Sequence, residues 1–341
     1  MQEKAGVVMA ELSEEDLALI HALQIAPRVA WTDAAPVLGA HATSLAARWE
    51  RLKSQGAAWV TGHMMGDPQQ TSLAFIDLDC RMERRIEVVA ALMAVPQIVT
   101  VERAASNRDL MLTVITDSLQ ELAESVIPRL AAVPGVTKFQ TSLCTRLHSG
   151  GYAWRLSVLN RSQQLQFQAL AHVPSVSGPL PESHLPLLPL LAADGRATAA
   201  QLARALGRTA TTVQRQLNRV IAANVLSFRC EVAQRYSGFP VTCQWFARVP
   251  AGAHSQAAAA LARMPSVRLS ASTTGRTNFL ITMWLRSVAD VMDMELTLQQ
   301  NIPGIELVES VIMLEANKRV GWFLNPDTTA SHALPAPAPG T

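Results

Sequence analysis

The chain has 341 residues, of which 49% are apolar and 16% charged. That composition supports several buried cores and excludes a disordered protein, and the length allows two to four domains. The net charge of +2 says little as a sum, but residues 195–224 carry Arg196, Arg204, Arg208, Arg215 and Arg219 with no acid, and residues 28–56 carry Arg28, Arg48, Arg51 and Lys53 against Asp33 and Glu50.

Taken in chain order, the apolar stretch Ala5–Ala10 is too short for a signal peptide, and no apolar run approaches the ~20 residues of a membrane span. Ser13 with Asp16 reads as a capping box, followed by Leu17, Ile20, Leu23 and Gln24 at helical spacing. Pro27 ends this helix, and Thr32-Asp33 is expected to cap a short second helix, Ala34–Leu38. Gly39 supplies a left-handed turn. Thr43 is expected to cap a third helix to about Gln55, closed by Gly56, in which Leu45, Trp49 and Leu52 face inward. Ser44, Ala47, Arg48 and Arg51 are left outside. Short polar residues at a helix N-terminus followed by arginines suit a recognition helix in the major groove of double-stranded DNA.

A second unit follows. Thr71–Asp79 alternates like a strand, and then come a helix (Glu83–Ala94), strands Ile98–Arg103 and Leu110–Ile115, a helix capped by Ser118 with Glu121 (Leu119–Ala132), and a strand (Val136–Thr145). This β-α-β-β-α-β order is a ferredoxin-like module. Residues 148–179 read as a linker, with Gly150-Gly151 and Pro174–Pro181 flexible and Tyr152–Leu159 strand-like; Trp154 corresponds to Trp322 in a short structured tail behind each module.

The same two-part pattern then recurs. Thr198 caps a helix, Gly207 turns the chain, and a helix from Thr209 to Ala223 buries Val213, Leu217 and Val220. It exposes Thr212, Arg215, Gln216 and Arg219, and Asn224 closes it. Pro186 and Pro189 fall in the preceding helix, Glu182–Leu191, and Pro189 is expected to kink or shorten it. The module elements recur as Val241–Arg248, Ser255–Arg263, Val267–Ser272, Phe279–Leu285, Val288–Gln300 and Ile305–Glu315. Gly39 pairs with Gly207, Arg28 with Arg196 and Ala42-Thr43 with Ala210-Thr211 at an offset of 168; Pro134-Gly135 pairs with Pro303-Gly304 at 169.

The expected fold is therefore α+β: winged helix-turn-helix heads at 12–62 and 180–232, ferredoxin-like modules at 70–147 and 239–324, and a low-complexity, disordered tail at 326–341. On these residues the chain resembles a tandem duplication of the Lrp/AsnC family of transcriptional regulators. Arg48-Trp49-Glu50-Arg51-Leu52 with Gly56 sits where that family has R-x-x-R-L…G, and Asp194-Gly195-Arg196 resembles its D-G-R. The resemblance implies DNA contacts from Thr43, Ser44, Arg48 and Arg51 in one head and Thr211, Thr212, Arg215 and Arg219 in the other. It also implies an amino-acid or other small effector bound near a T-G-x-x-D loop. The halves depart from that loop in complementary ways: Ala105–Asp109 keeps the acid, Asp109, while Thr274-Gly275-Arg276-Thr277-Asn278 keeps Thr274 and Gly275 but has the amide of Asn278. Either a composite site forms between halves, or drift has left one or both sites dead.

No catalytic motif stands out among the eight scattered histidines, no metal or cofactor is implied, and an enzyme is not expected. Cys80, Cys144, Cys230 and Cys243 lack C-x-x-C spacing and read as reduced core thiols of a cytoplasmic protein. Sirohaem decarboxylases share this architecture and resemble one another in a His-Asn-Tyr run; the matching stretches here, Ile98–Val101 and Val267–Ser270, have no histidine. The remaining alternative is an interaction protein with degenerate heads. The expectation is a sequence-specific DNA-binding regulator whose two halves pack as an intramolecular pseudo-dimer, sheet against sheet, and assemble further as a homo-oligomer.

Overall fold

A computed structural model describes residues 11–64, 71–172 and 180–334; the stretch Ala5–Ala10, most of Pro174–Pro181 and the end of the tail lie outside them. The first head is α1 (Glu14–Ile25), α2 (Trp31–Leu38), α3 (Ala42–Ser54) and strand β1 (Ala58–Met64). The Ser13–Asp16 capping box forms with both of its bonds, and Gly39 and Gly56 take the left-handed backbone that only glycine adopts cheaply. Two expected caps are displaced. Helix α2 starts at Trp31 after Ala30, and α3 starts at Ala42 after His41, so Thr32, Asp33 and Thr43 lie inside first turns. Neither Ala30 nor His41 supplies a side-chain cap. The entry to α2 is fixed from outside, because Arg196 donates to the carbonyls of Pro27 and Val29 and stacks over Trp31.

The first module runs β2 (Ser72–Cys80), α4 (Arg85–Met93), β3 (Ile98–Ala105), β4 (Leu110–Thr116), α5 (Leu119–Glu121), a π-turn over Leu122–Val126, α6 (Ile127–Ala132) and β5 (Val136–Ser149). The widened turn immediately precedes Pro128, whose missing N–H breaks the ordinary helical ladder there. The expected linker is more ordered than its composition suggests. It contains α7 (Arg161–Ala171), started by an Asn160–Gln163 capping box and packed on α1 and α2. Val158 and Leu159 donate their N–H groups to His21 Nδ1, and Leu156 donates to Gln24.

The second head is α8 (Leu187–Ala193), α9 (Ala199–Leu206), α10 (Ala210–Ala222) and β6 (Leu226–Val232). Pro186 forms the N-cap of α8 and Pro189 falls in its first turn, where the missing N–H costs no intrahelical bond. The helix is therefore seven residues long rather than kinked. The second module is β7 (Val241–Arg248), α11 (His254–Leu261), β8 (Val267–Thr273), β9 (Phe279–Leu285), α12 (Asp290–Asn301) and β10 (Glu306–Arg319). Strands β11 (Trp322–Leu324) and β12 (Ala330–Ala333) follow and pair with each other, so the start of the expected disordered tail is structured.

Each module has the strand order of a ferredoxin-like sheet, β5-β2-β4-β3 and β10-β7-β9-β8. The sheets join at both edges, through β5–β8 and β10–β3, so eight strands close a ring. Phe75, Met111, Ala271, Leu280, Val311 and Met313 share a core between the facing sheets, while the helices cover separate outer cores. Closure removes the open edges that a single module would expose. The heads are joined in the same reciprocal way. Strands β1 and β6 pair antiparallel with Thr61 opposite Arg229, two positions themselves 168 apart. Arg28 donates to the carbonyls of Gly195 and Ala197, mirroring the bonds of Arg196 to Pro27 and Val29.

Candidate nucleic-acid interface and ligand sites

The two three-helix heads differ in what their third helices leave exposed. On α10, Val213, Leu217 and Val220 are buried, while Thr211, Gln214, Arg215 and Asn218 are exposed. These four line an open groove with Thr198, Ala199 and Ala200 at the start of α9. The hydroxyl of Thr209 caps α10 by accepting from the Thr212 N–H. Thr212 is half-buried beside it, and Arg219 is half-buried further along. Gln216, expected outside, is buried and bonded to Arg208 and to the carbonyl of Ser183. The groove thus presents amide, hydroxyl and guanidinium groups suited to base edges and phosphates.

On α3 the equivalent surface is poorer. Thr43, Ser44, Ala47, Glu50 and Arg51 are exposed, but alanines and an acid stand where α10 has Gln214, Arg215 and Asn218. The two arginines expected to contact DNA, half-buried Arg48 and exposed Arg51, are both tied to one carboxylate of the head. Asp16, 3% exposed, accepts from Arg48 Nη1 at 2.8 Å and Arg51 Nη2 at 2.5 Å through one carboxylate oxygen. Burial pushes the Asp16 carboxyl up, but the hydrogen bonds from Arg51, Arg48 and the Ser13 backbone outweigh it and hold the group below its ordinary value.

The expected effector residues are occupied by structural bonds. Asp109 accepts from the Cys80 N–H, and Asn278 makes two bonds to the Val249 backbone. Each braces its own module's first strand against the loop. Thr274 exchanges bonds with the Leu143 backbone, tying its loop to the other module, and Gly275 sits at φ +114 with its missing side chain facing Ser142. The two loops do converge: Asn107, Arg108, Arg276 and Thr277 line one polar pocket of about 500 Å³. Buried Arg108 spans Asp77 and Glu309 there and stacks over Phe246. Burial raises the Asp77 carboxyl to about 6 against the pull of Arg108. The pocket is thus lined by neighbours of the expected residues.

A second, mainly apolar cavity of about 320 Å³ lies at the other end of the barrel, under the heads. Its walls come from β1, β6 and α8 of the heads and from strands of both modules. Nothing in the sequence marked it, because its residues are scattered from Thr61 to Ala333. Among the described residues no cluster of His, Cys, Asp and Glu suits a metal, and no helix is long and apolar enough to cross a membrane. Burial raises all four cysteine thiols, Cys230 most of all.

Residues 73–151 match the Lrp/AsnC ligand binding domain. Residues 185–227 match a winged helix-turn-helix DNA-binding family. The chain is also similar to uncharacterized HTH-type transcriptional regulators of Pyrococcus horikoshii (26% identity) and Pyrococcus abyssi (25%), each over 148 residues that make up 42% of this chain and 92% of the relative. Over nearly its full length its fold is similar to that of the siroheme decarboxylase NirDL, solved in complex with an iron-uroporphyrin III analogue, at a TM-score of 0.58 and 14% identity, covering 90% of this chain and 93% of that one. The chain therefore contains an Lrp/AsnC-type ligand-binding module and a winged helix-turn-helix.

Proposed function

We propose that the protein is a sequence-specific DNA-binding transcriptional regulator in which one chain does the work of an Lrp/AsnC-type dimer and the second head supplies most of the base reading. The observation that carries this is the exposed face of α10, where Thr211, Gln214, Arg215 and Asn218 open onto one groove. The pseudo-dimer is supported by the reciprocal Arg28 and Arg196 bonds, by Thr61 facing Arg229, and by the two-edged closure of the barrel. The first head, its arginines held by Asp16, serves mainly to orient the second and adds non-specific contact. Such a protein favours an operator with one strongly specified half-site rather than a palindrome.

The test is selection of binding sites from a random duplex pool by the full chain. Arg215→Ala should relax a base preference worth about 1–3 kcal/mol, or, if Arg215 meets phosphate, lower the salt slope by roughly one. Arg48→Ala should leave the selected motif unchanged. A palindromic motif lost equally on substitution in either head would refute the division of labour, and the absence of any selected motif would refute the function.

One observation favours a second reading. The decarboxylase fold spans almost the whole chain, and the strand stretches matched to the His-Asn-Tyr run put Val99, Thr100, Arg268 and Leu269 on the cavity wall. These carry no histidine, although His63 of the head strand lines the same cavity. Titration with an iron uroporphyrin decides: a stoichiometric Soret shift lost in His63→Ala would favour this reading, and no shift would retire it.

A further inference from the structure

The cavity under the heads holds charges that do not balance. Arg229, Arg268 and Arg319 face it, as does Glu102, and Glu231 lies just behind. Glu231 pairs with Arg229 at 2.6 Å and with Arg268 at 3.0 Å. Glu102 accepts a hydrogen bond from Gln244 rather than from an arginine. Three guanidiniums against two carboxylates leave one positive charge even with both acids ionised, and burial raises the Glu102 carboxyl, which can only increase the excess. Arg319 is 5% exposed and Arg268 is 7% exposed. An unneutralised charge in such a place costs several kcal/mol unless something pairs with it.

The hydrogen bonds fall short at the same spot. Arg319 Nη1, Arg229 Nε, Trp322 Nε1, His63 Nε2 and Gln244 Oε1 are buried without a hydrogen-bond partner among the described residues, and all five residues line this cavity. Buried polar groups are nearly always satisfied, so several orphans around one void mark a place for something that satisfies them. The rest of the wall is mainly apolar, with Phe75, Leu188, Leu226, Leu280 and Trp284 prominent among scattered hydroxyls such as Thr113 and Thr282. Arg268 and Arg319 lie over Trp284 at 4.0 and 5.1 Å, which holds the guanidiniums in place before any ligand arrives. The volume, about 320 Å³, is at the small end of the range for small-molecule pockets.

We propose that this cavity is a binding site for a small molecule with one carboxylate on an aromatic or branched apolar body, the carboxylate meeting Arg319 and Arg229 and the body packing between the head strands and the barrel. One excess charge in a small apolar void fits one carboxylate and not a ligand carrying many. The site is separate from the loop pocket at the far end of the barrel. Because its walls belong to both heads and both modules, an occupant ties the heads to the barrel. The proposal stands whether or not the heads read DNA.

The experiment is calorimetric titration of the full chain with 1-naphthaleneacetate, indole-3-acetate and 4-methyl-2-oxopentanoate, with 1-naphthaleneacetamide as the neutral control and uroporphyrin as the polycarboxylate control. At least one acid should bind one per chain and raise the melting temperature, with the amide at least tenfold weaker. Arg319→Gln should weaken the acid on the order of 10- to 100-fold and leave any weak amide binding unchanged. Thr282→Phe, which fills the cavity from a half-buried strand position and spares the arginines, should abolish binding even if Arg319→Gln does not fold. Equal binding of acid and amide, no binding of any acid at millimolar concentration, indifference to Thr282→Phe, or preference for uroporphyrin would each overturn the proposal.

Discussion

Replacing Asp16 with asparagine separates the two roles of that carboxylate. The side chain accepts from the Ser13 N–H at 3.1 Å and from Arg48 and Arg51 at 2.8 and 2.5 Å. Asparagine keeps the shape and the cap but removes the charge. Breaking a fully buried ion pair costs about 3–5 kcal/mol. Here, however, Arg48 and Arg51 are 29% and 45% exposed and can return to water, so the loss should be about 1–2 kcal/mol, read from urea denaturation. The carboxyl is held below its unfolded value, so its contribution is full above pH ~4 and is lost as pH falls through the lower folded value. Asp16→Asn should therefore flatten that acid limb. The freed guanidiniums stand on α3, the helix that faces DNA in the proposed function. Affinity for arbitrary duplex should rise at low salt, with a salt slope steeper by up to about two. Lower stability with an unchanged salt slope would mean that α3 does not face DNA. Unchanged stability and slope together would mean that Asp16 does not hold the arginines.

Three further outcomes follow from single contacts. Arg196→Met removes two charge-assisted bonds to Pro27 and Val29 and the stacking on Trp31, and should cost about 2–4 kcal/mol in urea denaturation; an unchanged midpoint would show that the reciprocal lock is idle. His21 is buried and accepts two backbone N–H bonds, and burial holds its pKa down to about 4. The unfolded chain thus binds more protons between pH 4 and 6.5, and stability should fall by up to about 3 kcal/mol as pH drops through that window, a slope that His21→Gln should remove. Asn224 ends α10 at φ 54, so Asn224→Val should cost about 1–3 kcal/mol and Asn224→Gly little, as thermal melts would show.

The parts of the fold legible in the sequence are those whose cause is local. Gly39 and Gly207 turn left-handed because no nearby alternative is cheap, and the Ser13–Asp16 box needs only three residues of separation. The module strands stand out as short apolar runs because both faces of the sheets are covered, by the core between them and by the helices outside. The misread parts have distant causes. The first turn of α2 is set by Arg196 from the other head. Residues 161–171 look like linker until His21 and Gln24 are seen to anchor the segment before them. The sequence does not show that Arg48 bonds to Asp16, 32 positions away, because Asp16 reads only as a cap. The backbone bonds of Asp109 and Asn278 are hidden too, because their partners at Cys80 and Val249 carry no side-chain signal.

In the proposed pseudo-dimer, these distant contacts would let one chain keep the geometry of a pair and give up its equivalence. Several of the contacts joining the halves are reciprocal and made to backbone: Arg28 and Arg196 to carbonyls, β1 to β6, and β5 and β10 to β8 and β3. Backbone partners survive side-chain substitution, so the frame tolerates divergence at the surfaces it carries. Divergence then follows where it is cheap. Glu50 stands on an exposed helix face where α10 has Asn218, and α7 packs on α1 and α2 of the first head. A homodimer cannot accept an acid on a DNA-facing helix without losing both contacts, because every substitution appears twice. A fused pair loses one. In the proposed function the second head sets the sequence read and the first sets where it sits, so exchanging the exposed α10 residues onto α3 (Ala46→Gln, Ala47→Arg, Glu50→Asn) should convert the selected site to one with two specified halves. If the triple variant selects the same single half-site, the first head does not reach the groove, and its place in the fold is to hold the second head and close the cavity beneath them both.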